Sequence, residues 1–453
     1  MRKGLKDLFC ITFLFSFILS NCKKKEEITF SEHIAPVIHN NCTPCHRPGE
    51  AGPFPLITYN DLKKRTKMIR LVTSTRYMPP WPADRHYQSY VNERGLTENE
   101  IKLISEWIDN GAPIGDSTKI PELPDFPVGS SMGKPDMVIK MRESFFVKGN
   151  NTDNFLVMKL PYELVDERYV RAIEFVPGNR KIVHHMNAHL IQFDENKKAH
   201  VDDGDMAVSN EEFESREYHK MLGLLHDDGS YPNMVTSVSN YLPGSNPLIY
   251  PEGIGGYKFT KKGALYLNSI HYGPTPVDEY DQSYFNIFFT DEPPKRPLQE
   301  VILGTLGVSP VVPPLVIPPN EIKKFTTQLI INRDISVLTV NPHMHLLGKS
   351  FLAFAVTPEK DTIPLIKIDN WNFRWQYNYT FKKMLRVPAG SVIYAEGIFD
   401  NTVNNPNNPY DPPETVAERE GSMKTTDEMF QLIINYLPYH YSDENISLES
   451  NVD

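Results

Sequence analysis

At 453 residues, 40% apolar and 23% charged, the chain is long enough for roughly two to four globular domains of ordinary size. A formal net charge of −10 with no basic stripe argues against a nucleic-acid partner. The 38 prolines, 22 tyrosines and 24 phenylalanines favour short strands and loops over long helices.

The first element is an export signal. Arg2, Lys3 and Lys6 precede an apolar stretch over 8–20 that is too short for a permanent membrane anchor but suits a signal h-region. Leu19-Ser20-Asn21-Cys22 resembles a bacterial lipobox, with residues 1–21 as signal peptide and Cys22 as the lipidated first mature residue. A plain cleaved signal is the alternative. The expectation is an exported lipoprotein of a Gram-negative-type bacterium, facing the periplasm or the cell surface and touching the membrane through its lipid anchor only. Of the four cysteines, Cys10 leaves with the signal and Cys22 takes lipid, so only Cys42 and Cys45 remain. None is spare for a structural disulfide.

Residues 22–120 read as a small all-α domain. Ser31 can cap a helix with Ile34, Val37 and Ile38 on one face, which delivers the chain to Cys42. A second helical pattern covers 59–73, with Leu62, Met68, Ile69 and Val72 apolar. The third begins at a capping box of Thr97 and Glu100. It buries Ile101, Ile104, Trp107 and Ile108, and stops at Gly111 and Pro113.

Within this region lies Cys42-Thr43-Pro44-Cys45-His46, the attachment signature of c-type haem. Both thiols can add to haem vinyl groups, and His46 then ligates the iron. Met78, in Met78-Pro79-Pro80-Trp81, is the candidate sixth ligand, with core packing as its alternative. A thioredoxin-like reading of the cysteine pair lacks a βαβ frame. His33, His39 and His86 are competing candidates for the sixth-ligand position, but read more readily as surface histidines.

The Pro-, Gly- and Ser-rich stretch 121–135 is a linker. Beyond it the period changes to strands, at 136–141, 155–160, 169–176, 264–271 and 284–290. A proline-rich break at 309–320 precedes strands at 325–331, 336–340, 351–356 and 391–399. The expected architecture is therefore an all-α cytochrome c domain followed by two all-β sandwich domains, 136–300 and 301–445.

The β region carries the remaining chemistry. His343-Met344-His345 places two imidazoles on one strand face. His184 and His185 are adjacent, so both reach one metal only if the strand is bulged there. His271 closes an apolar strand, and His189 shares the face of His185. Imidazoles suit copper, zinc, iron or nickel.

Four motifs stand in a telling order: Val183-His184-His185-Met186, Ser269-Ile270-His271-Tyr272, Pro342-His343-Met344-His345-Leu346 and Thr426-Asp427-Glu428-Met429. They resemble the copper type II, ascorbate-dependent monooxygenases, the family of dopamine β-monooxygenase and peptidylglycine hydroxylating monooxygenase. Pro177-Gly178-Asn179-Arg180, Gly348-Lys349-Ser350 and Phe399-Asp400-Asn401 resemble its bacterial branch, in which a cytochrome c domain often precedes two jelly-roll-like copper domains. The resemblance implies an electron-transfer copper on His184, His185 and His271, and an oxygen-activating copper on His343, His345 and Met429. A thioether beside two imidazoles favours Cu(I); without the family, Met429 reads as core. The chain departs from the animal enzymes in lacking disulfides. No arginine stands in Val340-Asn341-Pro342, which argues against recognition of glycine-extended peptides.

The implied activity is hydroxylation of a C–H bond of an unknown small organic substrate with O2. The cofactors are two copper ions and covalent haem c. Ascorbate or another reductant, or an external donor to the haem, supplies electrons. The competing expectation is a non-enzymatic, copper-binding cytochrome lipoprotein that transfers electrons. A zinc hydrolase is weaker, since zinc sites do not favour thioethers and no HExxH motif is present.

Overall fold

The computed structural model describes residues 27–126, 129–209, 213, 215–419 and 424–449. The expected signal segment and Cys22 lie outside the described residues. Among them, β-sheet dominates, and two pairs of sheets form the body.

In the first pair, a five-stranded sheet runs in the order Ala207–Ser209, Asn154–Glu163, Lys262–Tyr272, Val183–Gln192, Asn233–Tyr241. Its inner face packs against a four-stranded sheet containing Tyr284–Phe289 and Arg168–Val176. Leu160, Leu265, Ile270, Ile173 and Phe285 are buried between them. In the second pair, one sheet runs Gln299–Gly304, Phe430–Pro438, Ile335–Met344, Tyr379–Val387, and the other Ile322–Ile330, Val392–Asp400, Gly348–Val356, Thr362–Ile368. Strict alternation along Val392–Asp400 matches a strand with one face in the core.

The strand Ile335–Met344 is buried on both faces. Val337 and Val340 enter the second core. Leu338, with Met384 and Leu437, enters the first. This strand, which ends in the His-x-His motif, thus lies where the two cores meet.

The expected all-α domain is not what forms. Only 12% of the described residues are helical. The N-terminal helices are Ala35–Asn41, Tyr59–Lys63, Thr66–Ser74 and Glu98–Asp109, of which only the last reaches 12 residues. Its capping box does form, with Glu100 N–H donating to Thr97 Oγ1 at 3.2 Å and Thr97 N–H donating to Glu100 Oε2 at 2.7 Å. The pattern over 59–73 breaks at Lys64 and Arg65 into two short pieces. Long intervening stretches are irregular because Pro79, Pro80 and Pro82 cannot propagate a helix.

Instead, residues 83–91 cross the second sandwich as a strap. Asp84 N–H donates to Lys367 O at 2.8 Å and Val91 N–H to Thr380 O at 2.8 Å. Ala83 and Tyr90 are buried in the β core itself. The sequence pattern registered local helix signals but not that the proline-rich segment would spend its apolar residues on the neighbouring sheets.

Candidate metal centres

His343 and His345 meet at their Nε2 atoms, 3.2 Å apart. Each Nδ1 is occupied from behind. His343 Nδ1 lies 2.6 Å from Gln376 Oε1, and His345 Nδ1 lies 2.8 Å from Asp427 O. Gln376 is oriented by its own Nε2, which donates to Phe373 O at 2.9 Å, so Oε1 is the atom facing His343. Both partners are acceptors, so both rings carry their proton on Nδ1 and turn a bare lone pair inward. Burial pushes His343 down to about 3 and His345 down to about 4, so neither ring relieves the contact by protonation at neutral pH. Two lone pairs in contact in a buried site fit a bound cation, and outer-shell acceptors of this kind orient metal-ligating histidines.

His343 pairs with Gln431 and Met344 with Phe430, where the ladder ends. His345 and Met429 are the next residues beyond that pair on their two strands. Met429 is buried. The adjoining Glu428 is buried as well, and its carboxylate accepts from the backbone N–H groups of His345 at 3.0 Å, Leu347 at 2.7 Å and Met429 at 3.3 Å. It clamps the end of the His-x-His strand to the chain that brings Met429.

The second cluster depends on the bulge that the adjacent histidines require. Pairing with the strand Lys262–Tyr272 shifts register between Val183 and His185, so His184 is the extra residue. His185 stands directly opposite His271, with their Nδ1 atoms 3.3 Å apart. His184 closes on His271 edge-on, ring centroids 5.0 Å apart. His271 Nε2 is held by Asp153 Oδ1 at 2.6 Å, leaving its Nδ1 lone pair for the cluster, and Phe155 stacks on the ring at 4.3 Å. Asp153, His184 and His271 offer ligand atoms all within 4.8 Å of one another. Hydrogen bonding to His271 holds the Asp153 carboxyl below its usual range. Burial, then the neighbouring His271, lowers His184 to about 4 and His185 well below its ordinary value. His189 does not join: its Nδ1 accepts from Ser237 N–H at 2.8 Å, and it packs near Tyr266.

Gly273 makes room for His184. A Cβ there would sit 2.1 Å from the imidazole Cε1. Gly273→Ala is therefore expected to displace His184 and weaken metal binding at this cluster by about 10–100-fold, while the His343/His345 site keeps its affinity. Titration of metal-free protein with copper tests this; two unchanged affinities would refute it.

The clusters are neighbours. The Phe373 ring lies edge-on to His185 at 6.3 Å and to His345 at 5.8 Å, so a single phenyl separates the two sets of imidazoles. Its loop, between the strands Thr362–Ile368 and Tyr379–Val387, also supplies Gln376. Asp153, Phe155, Gly273, Phe373, Gln376 and Glu428 all went unread as site residues in the sequence. Of these only Glu428 lay within a motif.

In the haem-attachment motif both thiols are unpaired. Burial raises the Cys42 thiol to about 12 and raises Cys45 also. Such thiols lack the depressed pKa of a dithiol redox centre. His46 Nδ1 donates to Phe54 O at 3.0 Å, which leaves Nε2 for a ligand. The donor set fits haem on that side. Met78 lines a cleft of about 750 Å³ with Leu96, Ile101, Trp371 and Trp375, whose wall does not include Cys42, Cys45 or His46. Leu96 and Ile101 of that wall also belong to the core against which Cys42 packs. His86 is exposed as expected, but His39 is buried, its Nε2 3.1 Å from Ile57 O.

No protein-family model matches the chain, and no curated protein matches it. Among solved structures, the infectious bursal disease virus VP2 subviral particle aligns at 7% identity and a TM-score of 0.16, over 71% of this chain and 85% of that one. The structure of the Gx strain of infectious bursal disease virus aligns at 7% identity and a TM-score of 0.16, over 70% and 80%. Likeness at that level carries no argument about this protein.

Proposed function

We propose that the chain is a copper-dependent monooxygenase of the copper type II class, hydroxylating a C–H bond of a small organic substrate with dioxygen. The reading rests above all on the facing, unprotonated Nε2 atoms of His343 and His345, 3.2 Å apart in a buried site. His343, His345 and Met429 would hold one copper, and His184, His185 and His271 the other. Bound there, copper supplies the one-electron chemistry with dioxygen that such a hydroxylation needs.

The chain's own groups do the rest. Gln376 and the Asp427 carbonyl fix the tautomers of His343 and His345 and aim Nε2 inward. Asp153 does the same for His271 from the opposite nitrogen. Phe373 fills the space between the clusters and keeps it apolar, which limits water there. Three protein donors at the Met429 site, with a soft thioether among them, leave a position for a ligand from solution. Cys42, Cys45 and His46 would hold haem c as the electron supply.

Oxygen uptake with ascorbate as reductant tests the reading in copper-loaded, copper-stripped and zinc-reconstituted protein. Uptake is expected in the first alone, with isotopically labelled dioxygen found in the organic product. Equal uptake in all three, or none in any, would favour copper binding without catalysis.

A further inference from the structure

The segment carrying Met78-Pro79-Pro80-Trp81 and the loop carrying Phe373 and Gln376 are locked together. Tyr377 Oη donates to Pro80 O at 3.0 Å. Trp81 lies 5.3 Å from Tyr377 between ring centroids, and 5.3 Å from Tyr379. Trp375 stacks on Tyr377 at 6.4 Å with an interplanar angle of 12°. Tyr377 is buried. The Cys42-Thr43-Pro44-Cys45-His46 motif reaches the same place. Cys45 Sγ lies 3.5 Å from Pro243 O, which also accepts from Arg94 at 2.9 Å, and Arg94 borders one small cavity with Trp81, Gln376 and Tyr377.

One peptide bond from Tyr377, Gln376 holds His343 Nδ1 at 2.6 Å. The chain therefore offers a continuous bonded path: Pro80 carbonyl, the Tyr377 hydroxyl and ring, the peptide to Gln376, its side chain, and the His343 imidazole. Only two hydrogen bonds interrupt it. Toward the other cluster the same loop offers, among the described residues, the edge-on contact of Phe373 with His185 at 6.3 Å. That contact includes no hydrogen bond.

We propose that Tyr377 and Gln376 couple the segment carrying Met78, the candidate sixth haem ligand, directly to the His343/His345/Met429 site, so that electrons reach it without first passing through the His184/His185/His271 cluster. This rests on the function proposed above. In the step, one electron leaves ferrous haem iron, which becomes ferric, and reduces a cupric ion held by His343 and His345 to cuprous. No covalent bond forms or breaks and no proton moves; Tyr377 acts as a positioning and coupling residue and stays reduced.

The test is flash reduction of the full-length holoprotein without oxygen. A photogenerated flavin semiquinone reduces the haem, haem absorbance follows its reoxidation, and freeze-quenched copper EPR identifies the cupric signal that disappears. Haem and copper content are measured on the same samples beforehand. The wild type is expected to reoxidise its haem at a rate independent of protein concentration. Tyr377→Phe and Gln376→Leu should each slow that phase by about tenfold or more, the usual scale for removing a ligand's outer-shell partner, at unchanged haem content. Rates within twofold of the wild type in both variants, in samples carrying haem and copper, would overturn the coupling alone. So would loss of the cupric signal first from the His184/His185/His271 cluster. Wild-type protein lacking haem or copper would overturn the functional reading and this inference together.

Discussion

Met429→Leu is expected to reduce dioxygen turnover by about 10–100-fold while the protein stays folded and keeps its haem spectrum. The substitution keeps volume and apolarity, so a purely structural methionine would give it up for less than about 1.5 kcal/mol and with little effect on turnover. Only the sulfur is lost. Met429 and His345 are the first residues beyond the Met344–Phe430 pair that ends the ladder, and a thioether joining the two imidazoles there would favour Cu(I). Steady-state oxygen uptake combined with a denaturant melt separates the alternatives. Wild-type turnover in the leucine variant would return Met429 to the core.

Glu428→Ala is expected to lower both the stability of the fold and its affinity for copper. Glu428 is buried, which raises its carboxyl to about 8, and its oxygens accept from three backbone N–H groups beyond the end of the ladder. Without it those donors are left in a dry site, each at about 1–3 kcal/mol, and a cavity opens beside them. A loss of at least about 3 kcal/mol follows, large against the ordinary point mutation. Because the same carboxylate ties His345 to the chain bearing Met429, copper affinity at this site should also fall by about 10–100-fold. Unfolding of the metal-free protein and a copper titration measure the two effects. A change under about 1 kcal/mol with unaltered affinity would show the clamp to be incidental.

Local chemistry was legible in the sequence. The capping box at Thr97 and Glu100 forms as read, because both partners lie within one turn of chain. The bulge demanded by two adjacent histidines is present at His184. His-x-His reads directly, since strand geometry alone sets its two rings on one face. Long-range placement was not legible. Asp153 stands at the start of a strand over a hundred residues from His271, and nothing in its neighbours marks it. Phe373 and Gln376 sit in a loop whose composition suggests only a turn. The all-α expectation failed for a related reason. Helix periodicity is local, whereas the docking of Ala83 and Tyr90 into the β core is not.

The central claim is that two histidine clusters, parted by Phe373, are copper sites in a haem-bearing chain. Metal and haem analysis of the purified mature protein, with copper EPR, tests it most directly. Two coppers and one haem per chain are expected, with imidazole nitrogen couplings on the cupric signals and loss of one of the two in His343→Ala. Stoichiometric zinc in place of copper, or chains that carry haem but bind no copper at either cluster, would contradict it.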